Sequence, residues 1–517
     1  MRGILCMACL FGSLAIAQAT AWGQLRVATW NVTNYSSGRV EEFQTAIYDS
    51  YEGRSMAPDV IVAQEFLHDA STVTNFKNIL NGAPGSPGDW AAVPIIDGPD
   101  TDNAFFYRTG KVIFLGVTTV SEGGPPPQHP RNVERYDIRP VGYSSEGAVL
   151  ACYSSHMKAG SSGDDQDRRL VEAEAIRDDA ENLPAEWHFL LGADLNIQTS
   201  SQAAYGELLG WQPNNDGRFF DPINTPGNWN NEPGYRFVHT QDPIGAGGMD
   251  DRYDQILLSE SLVDGEGFNY IGNPAVAYST SAWNDPNHSY RAWGNDGTSF
   301  DDHLTVDGNT MVGPTIAQAL VDSALSGGHL PVFLDLAVPP QIDSDDVLSF
   351  GQVNQGAQAD EVLTVLNDGD VALWTTDGIA DLEYTLEASP GFMAPPGPFV
   401  EPPGGSANEH LIEMDTSTMG VKNGTLTIYS NAPDEPVRVV SLSGEVVHVP
   451  GDVNSDGEVD IADYAVFATC LAGPEVCSPP AGECSQEQFD LFDADLDPDG
   501  DVDLEDFARF QSLFGGS

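Results

Sequence analysis

Short apolar runs that lead into a polar side chain recur through the first two-thirds of the chain. Residues 25–30 (LRVATW) precede Asn31, and residues 59–63 (DVIVA) precede Gln64 and Glu65. Short apolar runs rich in Val, Ile and aromatic residues predict buried β-strands. Because a rigid strand end can bring side chains from distant sequence together, we expect these polar residues to share one site.

Later runs repeat the pattern. Residues 188–191 (HFLL) lead towards Asp194 and Asn196, and Asp254 opens the apolar run 256–258. The complete set of polar positions at predicted strand ends comprises Asn31, Glu65, His156, Asp194, Asn196, Asp254 and His329.

These segments resemble the endonuclease/exonuclease/phosphatase superfamily, which has a deoxyribonuclease-like fold. The resemblance rests on motifs in family order and covers roughly residues 25–337: LRVATWNV, PDVIVAQEF, AVLACYSSHMKAG, HFLLGADLNI, DRYDQILLS and GGHLPVFLDL. It implies an α/β four-layered sandwich, in which two mostly antiparallel sheets lie face to face with helices outside. It also implies hydrolysis of phosphate esters with a divalent metal ion.

The resemblance assigns roles to the acidic and amide residues. Asn31 and Glu65 would hold the catalytic metal ion, and their hard oxygen atoms suit Mg²⁺ and Mn²⁺, and also Ca²⁺. Asp194 and Asn196 would position the nucleophilic water and a phosphate oxygen. Such a site orients water in line, neutralises charge on the phosphoryl oxygens and stabilises the leaving oxyanion.

The resemblance also assigns the histidines. Asp254 would orient His329, which would act as general base or stabilise the phosphoryl group. His156 would contact the scissile phosphate.

One departure from the family pattern concerns the segment before His329. The family usually has Ser-Asp-His, and this chain has glycine at positions 327 and 328, so an aspartate that often joins the metal shell is missing. The segment Asp301-Asp302-His303 is a rival for the motif. We prefer His329 because residues 330–336 form the expected final core strand, and either Asp301 or Asp302 is a candidate replacement for the missing ligand.

Residues 347–447 alternate strand-like runs with turns. Their period-two pattern, interrupted by Gly, Asn-Asp and Pro, predicts an antiparallel β-sandwich of about a hundred residues. The runs VLSFGQV, LTVLNDGD and LTIYSNAPDEP resemble immunoglobulin-like modules of the Hydin and choice-of-anchor type. No residue here suggests chemistry, so we interpret the module as a spacer or binding platform.

The tail contains two acidic loops with the spacing of calcium ligands. Gly457 and Gly500 occupy position 6 of each loop, where a sharp turn is needed, and an amphipathic segment follows each loop. Calcium takes about six to eight oxygen ligands. Positions 1, 3, 5, 7, 9 and 12 are filled by Asp452, Asn454, Asp456, Glu458, Asp460 and Asp463, and then by Asp495, Asp497, Asp499, Asp501, Asp503 and Asp506. The duplicated loop and helix resemble a type I dockerin, which implies Ca²⁺ binding and a cohesin-like protein partner.

The first 21 residues predict a secretory signal peptide, with Arg2 before an apolar stretch and small residues at its end. An N-terminal membrane anchor is the alternative, but the stretch is shorter than the ~20 apolar residues of a membrane span. No later stretch of the sequence is apolar enough to cross a bilayer. We therefore expect a secreted or cell-surface protein.

The cysteines agree with export. Cys152 lies in an apolar run and predicts a buried thiol, whereas Cys470, Cys477 and Cys484 predict one disulfide and an odd thiol, with the pairing left open.

A chain of 517 residues is too long for one core. The predicted domains are a signal peptide at 1–21, a catalytic domain at 22–340, an immunoglobulin-like β-sandwich at 341–448 and a dockerin-like tail at 451–517.

The charge balance argues against a basic nucleic-acid-binding protein. The chain has 21 basic and 78 acidic residues, and its formal net charge is −57. Affinity for nucleic acid comes mainly from Lys and Arg at phosphates, so a polyanion would be repelled unless metal ions or salt intervene.

We therefore predict a secreted metal-dependent phosphodiesterase or endonuclease, with nucleic acid retained as a substrate despite the acidic surface. A phospholipase-C-like (sphingomyelinase-type) or phosphomonoesterase activity is one alternative. A non-catalytic assembly or adhesion protein is another, although the intact acidic residues disfavour it.

Overall fold

The computed structural model describes residues 24–514, apart from residues 246 and 455 and the side chain of Ala70. The predicted signal peptide at 1–21 lies outside the described residues. Within the described part of the chain, no helix has both the length and the apolar character needed to cross a membrane. The chain divides into a first unit, up to Pro339 together with Asp370–Ala380, and a second unit, Pro340–Gly369 with Asp381–Ser517.

The first unit combines strands and helices. Its strands are β1 (Leu25–Tyr35), β2 (Val60–Phe66), β3 (Trp90–Ala92), β4 (Asp102–Arg108), β5 (Val112–Ser121), β6 (Val133–Pro140), β7 (Leu150–His156), β8 (His188–Asp194), β9 (Phe219–Phe220), β10 (Asp254–Ser259), β11 (Asn269–Tyr270), β12 (Arg291–Ala292) and β13 (Val332–Ala337). Its helices are α1 (Val40–Tyr48), α2 (Ala70–Gly82), α3 (Gly163–Glu181), α4 (Ala203–Leu209) and α5 (Gly313–Ala324).

These strands form two sheets within the described residues. One has the order β11-β13-β1-β2-β4-β3, with β12 also paired to β13, and the other has the order β5-β6-β7-β8-β10-β9. The pairs β1–β2 and β7–β8 are parallel, and the neighbouring pairs are antiparallel. The carboxyl ends of β1, β2, β7 and β8 therefore carry the polar residues that follow the apolar runs.

A buried cluster joins the two sheets. It contains Val27 and Val62 from one sheet and Cys152, Leu190 and Ile256 from the other. Further clusters place α1, α2 and α5 against the first sheet and α3 and α4 against the second. Burying both faces of a sheet explains why these strands read as continuous apolar runs.

The end of β1 differs from the expectation. We expected the strand to end at Asn31, and this is wrong, because it continues to Tyr35. Thr33 and Asn34 adopt positive φ angles of 52° and 48°. This bend shifts the pairing with β2 between Asn31 and Tyr35, and it turns Asn31 towards the end of β2.

The second unit is rich in sheet and ends in helices. Its strands are β14 (Ile342–Ser344), β15 (Val347–Asn354), β16 (Asp360–Asn367), β17 (Leu382–Ala388), β18 (Phe392–Met393), β19 (Phe399–Glu401), β20 (Asn408–Met414), β21 (Gly420–Ser430) and β22 (Val437–Val447). Its helices are α6 (Ile461–Cys470), α7 (Gln486–Asp495) and α8 (Leu504–Leu513).

The strands of this unit pair in the orders β14-β16-β20-β18 and β15-β22-β21-β17-β19 and share a core. The helical tail has its own small core around Phe467, Phe492 and Phe510. A disulfide joins Cys470 to Cys484, which resolves the pairing, while Cys477 is free and exposed. Cys152 is a free, buried thiol, as predicted.

The coarse prediction is confirmed: the chain is multi-domain and sheet-rich, with a small helical region at its C-terminal end. The four-layered sandwich and the immunoglobulin-like topology stay predictions, as do the domain boundaries. The sequence did not predict that residues 370–380 belong to the first unit. There Trp374 is buried in the core between the sheets, and Lys111 lies 4.4 Å from its ring centre.

A buried ion pair ties β1 to β13. Arg26 donates from Nε and Nη2 to the two oxygens of Asp335, at 2.6 and 2.9 Å, and Gln24 donates to the same carboxylate at 2.9 Å. We expect Asp335→Ala to lower the free energy of unfolding by about 3–5 kcal/mol, because it leaves a buried guanidinium uncompensated.

Urea unfolding followed by tryptophan fluorescence measures this effect. The control Asp307→Ala removes an exposed carboxylate and should change stability by less than about 0.5 kcal/mol. Equal unfolding midpoints for the two variants would show that the ion pair does not stabilise the fold.

Candidate functional site

The carboxylate of Asp194 lies at the centre of a buried polar cluster. Its Oδ2 accepts a hydrogen bond from Asn31 Nδ2 at 3.0 Å. The same oxygen lies 3.3 Å from His156 Nε2 and 3.6 Å from His329 Nε2. One acidic oxygen thus contacts side chains from β1, β7 and the segment before β13.

Strand register explains this convergence. His156 is paired with Asp194 across the parallel β7 and β8, and Asp254 is paired with Asp194 across the antiparallel β8 and β10. Side chains on directly opposite residues of neighbouring strands project to the same face of a sheet. All three are buried, so their charges interact with little screening by water.

Glu65 reaches the cluster from the end of β2. Its Oε1 accepts a hydrogen bond from Asn31 Nδ2 at 3.0 Å and lies 3.8 Å from His156 Nε2. Its Oε2 accepts a hydrogen bond from the backbone N–H of Asn34 at 2.9 Å. Glu65 has a φ angle of 63°, a strained backbone conformation that is common at functional sites.

Asn31 bridges the two carboxylates through its amide nitrogen. Its Oδ1 accepts a hydrogen bond from the backbone N–H of Thr33 at 3.0 Å, so Nδ2 faces Glu65 and Asp194. A metal ligand must present oxygen, and the amide would have to rotate to do so. In this arrangement Asn31 orients the carboxylates.

His329 and Asp254 form a tight pair. The distance between His329 Nδ1 and Asp254 Oδ2 is 2.7 Å, and Gln241 Nε2 lies 3.1 Å from His329 Nε2. Burial alone would lower the pKa of His329, but the carboxylates of Asp254 and Asp194 outweigh it and raise this pKa to about 10. His329 is therefore a charged hydrogen-bond donor at neutral pH, and in that state Gln241 has to present its amide oxygen to Nε2.

His156 has the opposite character. Burial, together with the positive charges of Arg131 and His329, lowers the pKa of His156 well below its usual value. Its imidazole is thus neutral. Burial also raises the pKa of Asp194, to about 6, although His329 counteracts this effect.

Asp194, Asp254 and His329 have ligand atoms within 4.8 Å of one another. Buried carboxylates in such a group repel each other, and a divalent cation would relieve this repulsion. With Glu65 beside them, the donor set consists largely of carboxylate oxygen, which Mg²⁺ and Mn²⁺ prefer.

Asn196 also lies in the cluster, at a φ angle of 51°. Its backbone N–H donates to Asp194 Oδ1 at 3.1 Å, and its Nδ2 donates to the carbonyl of Met157 at 3.1 Å. The residue therefore fixes Asp194 on the side opposite to Asn31.

The glycine before His329 is a packing requirement. A Cβ atom at position 328 would lie 2.0 Å from the carbonyl oxygen of Ala324, at the end of α5. An aspartate cannot occupy this backbone position without a shift of the chain. The rival residues Asp301, Asp302 and His303 are all exposed, and the structure does not bring them into the Asp194 cluster.

Sequence reasoning missed three residues beside the histidines. Gln241 contacts His329, and Arg131 donates to the carbonyl oxygen of His156 at 3.3 Å. Asp242 accepts a hydrogen bond from the backbone N–H of Gly327 at 3.2 Å, which holds the loop before His329. These residues lie in loops, where no apolar pattern marks them.

The calcium loops gather part of the predicted ligand set. Ligand atoms of Asp452, Asp456 and Asp463 lie within 4.8 Å of one another in the first loop. In the second loop, the ligand atoms that lie within 4.8 Å of one another belong to Asp501, Asp503 and Asp506.

The remaining predicted ligands lie around these groups. Asn454 Nδ2 donates to Asp456 at 2.8 Å, and the side chain of Asp460 caps α6. The backbone N–H of Glu458 donates to the carboxylate of Asp456. The backbone N–H of Asp499 donates to the carbonyl oxygen of Asp497.

The first position differs between the loops. Asp452 Oδ2 accepts a hydrogen bond from Gly457 N–H at 2.8 Å, as position 1 of a calcium loop should. Asp495 instead ends α7 and contacts His448, and the N–H of Gly500 donates to Asp493 at 2.7 Å. In this structure Asp495 does not join the acidic group of its loop.

The tail matches a known protein family, and solved structures are similar to the longer part of the chain. Residues 450–512 match the family model of the dockerin type I domain, which confirms the dockerin-like tail. No curated protein sequence matches the chain.

The solved structures to which the chain is similar include two proteins of the endonuclease/exonuclease/phosphatase family. One from Bacteroides thetaiotaomicron is 14% identical, with a TM-score of 0.36 over 60% of this chain and 97% of its own. One from Beutenbergia cavernae is 13% identical, with a TM-score of 0.34 over 82% and 100%. A mannosyl-6-phosphatase from B. thetaiotaomicron is 14% identical, with a TM-score of 0.32 over 60% and 99%.

Calcium binding to the tail can be tested at Asp463. Its carboxylate lies in the first acidic group and also accepts hydrogen bonds from the N–H groups of Val453 and Asp460. We expect Asp463→Asn to weaken Ca²⁺ binding by about an order of magnitude or more, because calcium affinity follows ligand charge. Calorimetric titration of the full-length protein measures this change.

The control is Asp490→Asn, which neutralises an exposed carboxylate on α7 outside the loops. Equal Ca²⁺ affinities for Asp463→Asn and the unmodified protein would remove Asp463 from the ligand set.

Proposed function

We propose that the first unit is a metal-dependent phosphoric ester hydrolase of the phosphodiesterase or endonuclease type, on a four-layered α/β sandwich. The observation that supports this most directly is the contact of one Asp194 oxygen with both His156 and His329, with Asp254 behind His329. Glu65 adds a third carboxylate at the open side of the cluster.

The donor set fits a bound Mg²⁺ or Mn²⁺, held by Glu65 and the neighbouring carboxylates. Such an ion would polarise the phosphoryl oxygens and neutralise their charge. Asp194, fixed by Asn31 and Asn196, would accept a hydrogen bond from the attacking water and orient it. This role requires the carboxylate to be ionised, which nearby positive charge favours.

The histidines have different roles in the proposal. A pKa of about 10 keeps His329 protonated, so it would donate a hydrogen bond to a phosphoryl oxygen and stabilise the negative charge that develops there. Asp254 holds the ring in place for this task. His156 is neutral and would donate a hydrogen bond from its one N–H to the same phosphate.

The acidic surface bears on the substrate. A net charge of −57 disfavours a long polyanion, whereas a small phosphoester carries little charge to repel. This observation supports a phospholipase-C-like or phosphomonoesterase activity as the second candidate.

The tail is proposed to bind a cohesin-like protein in a calcium-dependent manner, on the secreted chain. Besides the family match, equivalent positions at the start of α6 and α8 carry exposed apolar side chains. Ile461 is 67% exposed and Leu504 is 70% exposed. Exposed apolar residues of this size are available for contact with a partner.

A substrate panel tests the proposed activity. Purified protein is assayed with plasmid DNA, RNA, sphingomyelin, a bis-aryl phosphodiester and an aryl phosphomonoester under Mg²⁺, Mn²⁺ and Ca²⁺. Turnover of DNA, RNA or the bis-aryl diester supports the proposal, turnover of sphingomyelin alone or the monoester alone supports the second candidate, and no turnover in any combination contradicts both.

Glu65→Gln should reduce turnover by about a thousandfold or more, because the loss of a metal-binding carboxylate forfeits several kcal/mol of transition-state stabilisation. The variant keeps the size of the side chain, so circular dichroism should be unchanged. The matched control is Glu174→Gln on the exposed face of α3, which should retain full activity. Normal turnover of Glu65→Gln at saturating Mg²⁺ would remove Glu65 from the site.

His329→Ala should reduce turnover on the order of a hundredfold or more, the typical contribution of one hydrogen-bond donor that stabilises charge in the transition state. His303→Ala should leave turnover within about twofold, because that side chain is exposed and outside the cluster. Steady-state kinetics on both variants makes the comparison. The opposite ranking would assign the role to the segment that contains His303.

A further inference from the structure

A second group of ligating side chains lies outside the Asp194 cluster. His68 Nδ1 lies 3.0 Å from Asp97 Oδ1 and 3.4 Å from Asp102 Oδ2, and the three ligand atoms lie within 4.8 Å of one another. His68 follows the end of β2, whereas Asp97 and Asp102 flank the loop that leads into β4. One imidazole nitrogen thus faces carboxylates from a different segment of the chain.

Asp102 distinguishes this group from an ordinary acidic surface cluster. Its side chain is only 1% exposed, and its Oδ1 accepts a hydrogen bond from the N–H of Gly98 at 2.8 Å. Its Oδ2 is buried, makes no hydrogen bond and is directed towards His68 and Asp97. A buried carboxylate oxygen without a hydrogen bond is costly, and a cation is one way to satisfy it.

The spacing matches that of ligands around one small cation. With metal–ligand distances of about 2.0–2.1 Å, neighbouring ligand atoms of a tetrahedral zinc site lie about 3.3 Å apart. The two distances from His68 Nδ1, 3.0 and 3.4 Å, bracket this value. An imidazole nitrogen with two carboxylates is a donor set that suits Zn²⁺ better than Mg²⁺ or Ca²⁺.

We propose that His68, Asp97 and Asp102 bind a divalent transition-metal ion of the Zn²⁺ class. His68 and Asp97 have side chains that are 54% and 62% exposed, so the ion can enter from solvent and keep a water ligand. The bound ion would join the end of β2, which carries Glu65, to the loop before β4.

This loop is connected to the Asp194 cluster. Asp100 lies 3.1 Å from Arg131 Nη2, Thr101 accepts a hydrogen bond from Arg131 Nε at 3.2 Å, and Arg131 Nη1 donates to the carbonyl oxygen of His156 at 3.3 Å. An ion at His68 would therefore hold the loop that positions Arg131 behind His156. The proposal concerns metal binding and stands independently of the proposed hydrolysis.

Zinc binding to the full-length protein tests the proposal. Equilibrium dialysis is run against Zn²⁺ with Ca²⁺ and Mg²⁺ in excess, and bound zinc is measured by atomic spectroscopy. His68→Ala and Asp97→Ala should each remove one zinc equivalent, or weaken it by more than about a hundredfold, since loss of even an outer partner costs about 10–100-fold. Both residues are exposed, so these variants should fold normally.

His303→Ala is the matched control, because His303 is an exposed histidine that follows two aspartates but lies in none of the ligand groups of the described residues. It should bind as much zinc as the unmodified protein. Glu65→Gln should still bind the zinc ion that depends on His68, which separates this site from the Asp194 cluster. Unchanged zinc binding in both His68→Ala and Asp97→Ala would overturn the proposal. An equal loss of zinc in His303→Ala would overturn it as well. The group would then be only an ion pair between His68 and the two aspartates.

Discussion

The buried carboxylate of Asp194 is the group on which the rest of the candidate site depends. Its two oxygens accept hydrogen bonds from Asn31 and Asn196, and one of them faces both histidines. A buried anion is stable only when hydrogen bonds or positive charge compensate it. His329 supplies one positive charge, but Asp254 and Glu65 add further negative charge nearby. The cluster is therefore arranged to attract a cation.

The order of the strands brings the residues of this cluster together. Parallel pairing of β1 with β2, and of β7 with β8, places four polar side chains at strand ends on one edge. The antiparallel strands β10 and β13 then contribute residues at their beginnings, Asp254 and His329. Mixed pairing thus lets strand ends and strand beginnings meet, whereas a purely parallel sheet would offer only its strand ends.

Much of this arrangement could be predicted because apolar runs and the residues that end them are local features. Asp194 and Asp254 follow directly from the pattern of β8 and β10. The contact of Gln241 with His329 could not be predicted, since it depends on where a long loop crosses the segment before β13. The orientation of the Asn31 amide is likewise set by the positive φ of Thr33, which the sequence pattern does not show.

The tail shows the same limit at a smaller scale. The two loops have equivalent acidic positions, yet Asp452 and Asp495 make different contacts. Asp452 accepts a hydrogen bond from Gly457 of its own loop, whereas Asp495 contacts His448, which lies outside its loop. Spacing predicts which residues can be ligands, and neighbours outside the repeat decide which of them are directed into the loop.

Three arginines of the first unit do not contribute positive charge to the surface. Arg169, Arg177 and Arg252 are fully buried and are held by carbonyl groups or by carboxylates within the fold. Their charges stabilise the interior and are hidden from an approaching molecule. Because the chain has 21 basic residues against 78 acidic ones, each buried arginine leaves the solvent-facing surface more negative. In the proposed function, a phosphate substrate would be drawn in by the local charge of the site, where His329 and a bound cation would act at short range while salt screens the repulsion of the wider surface.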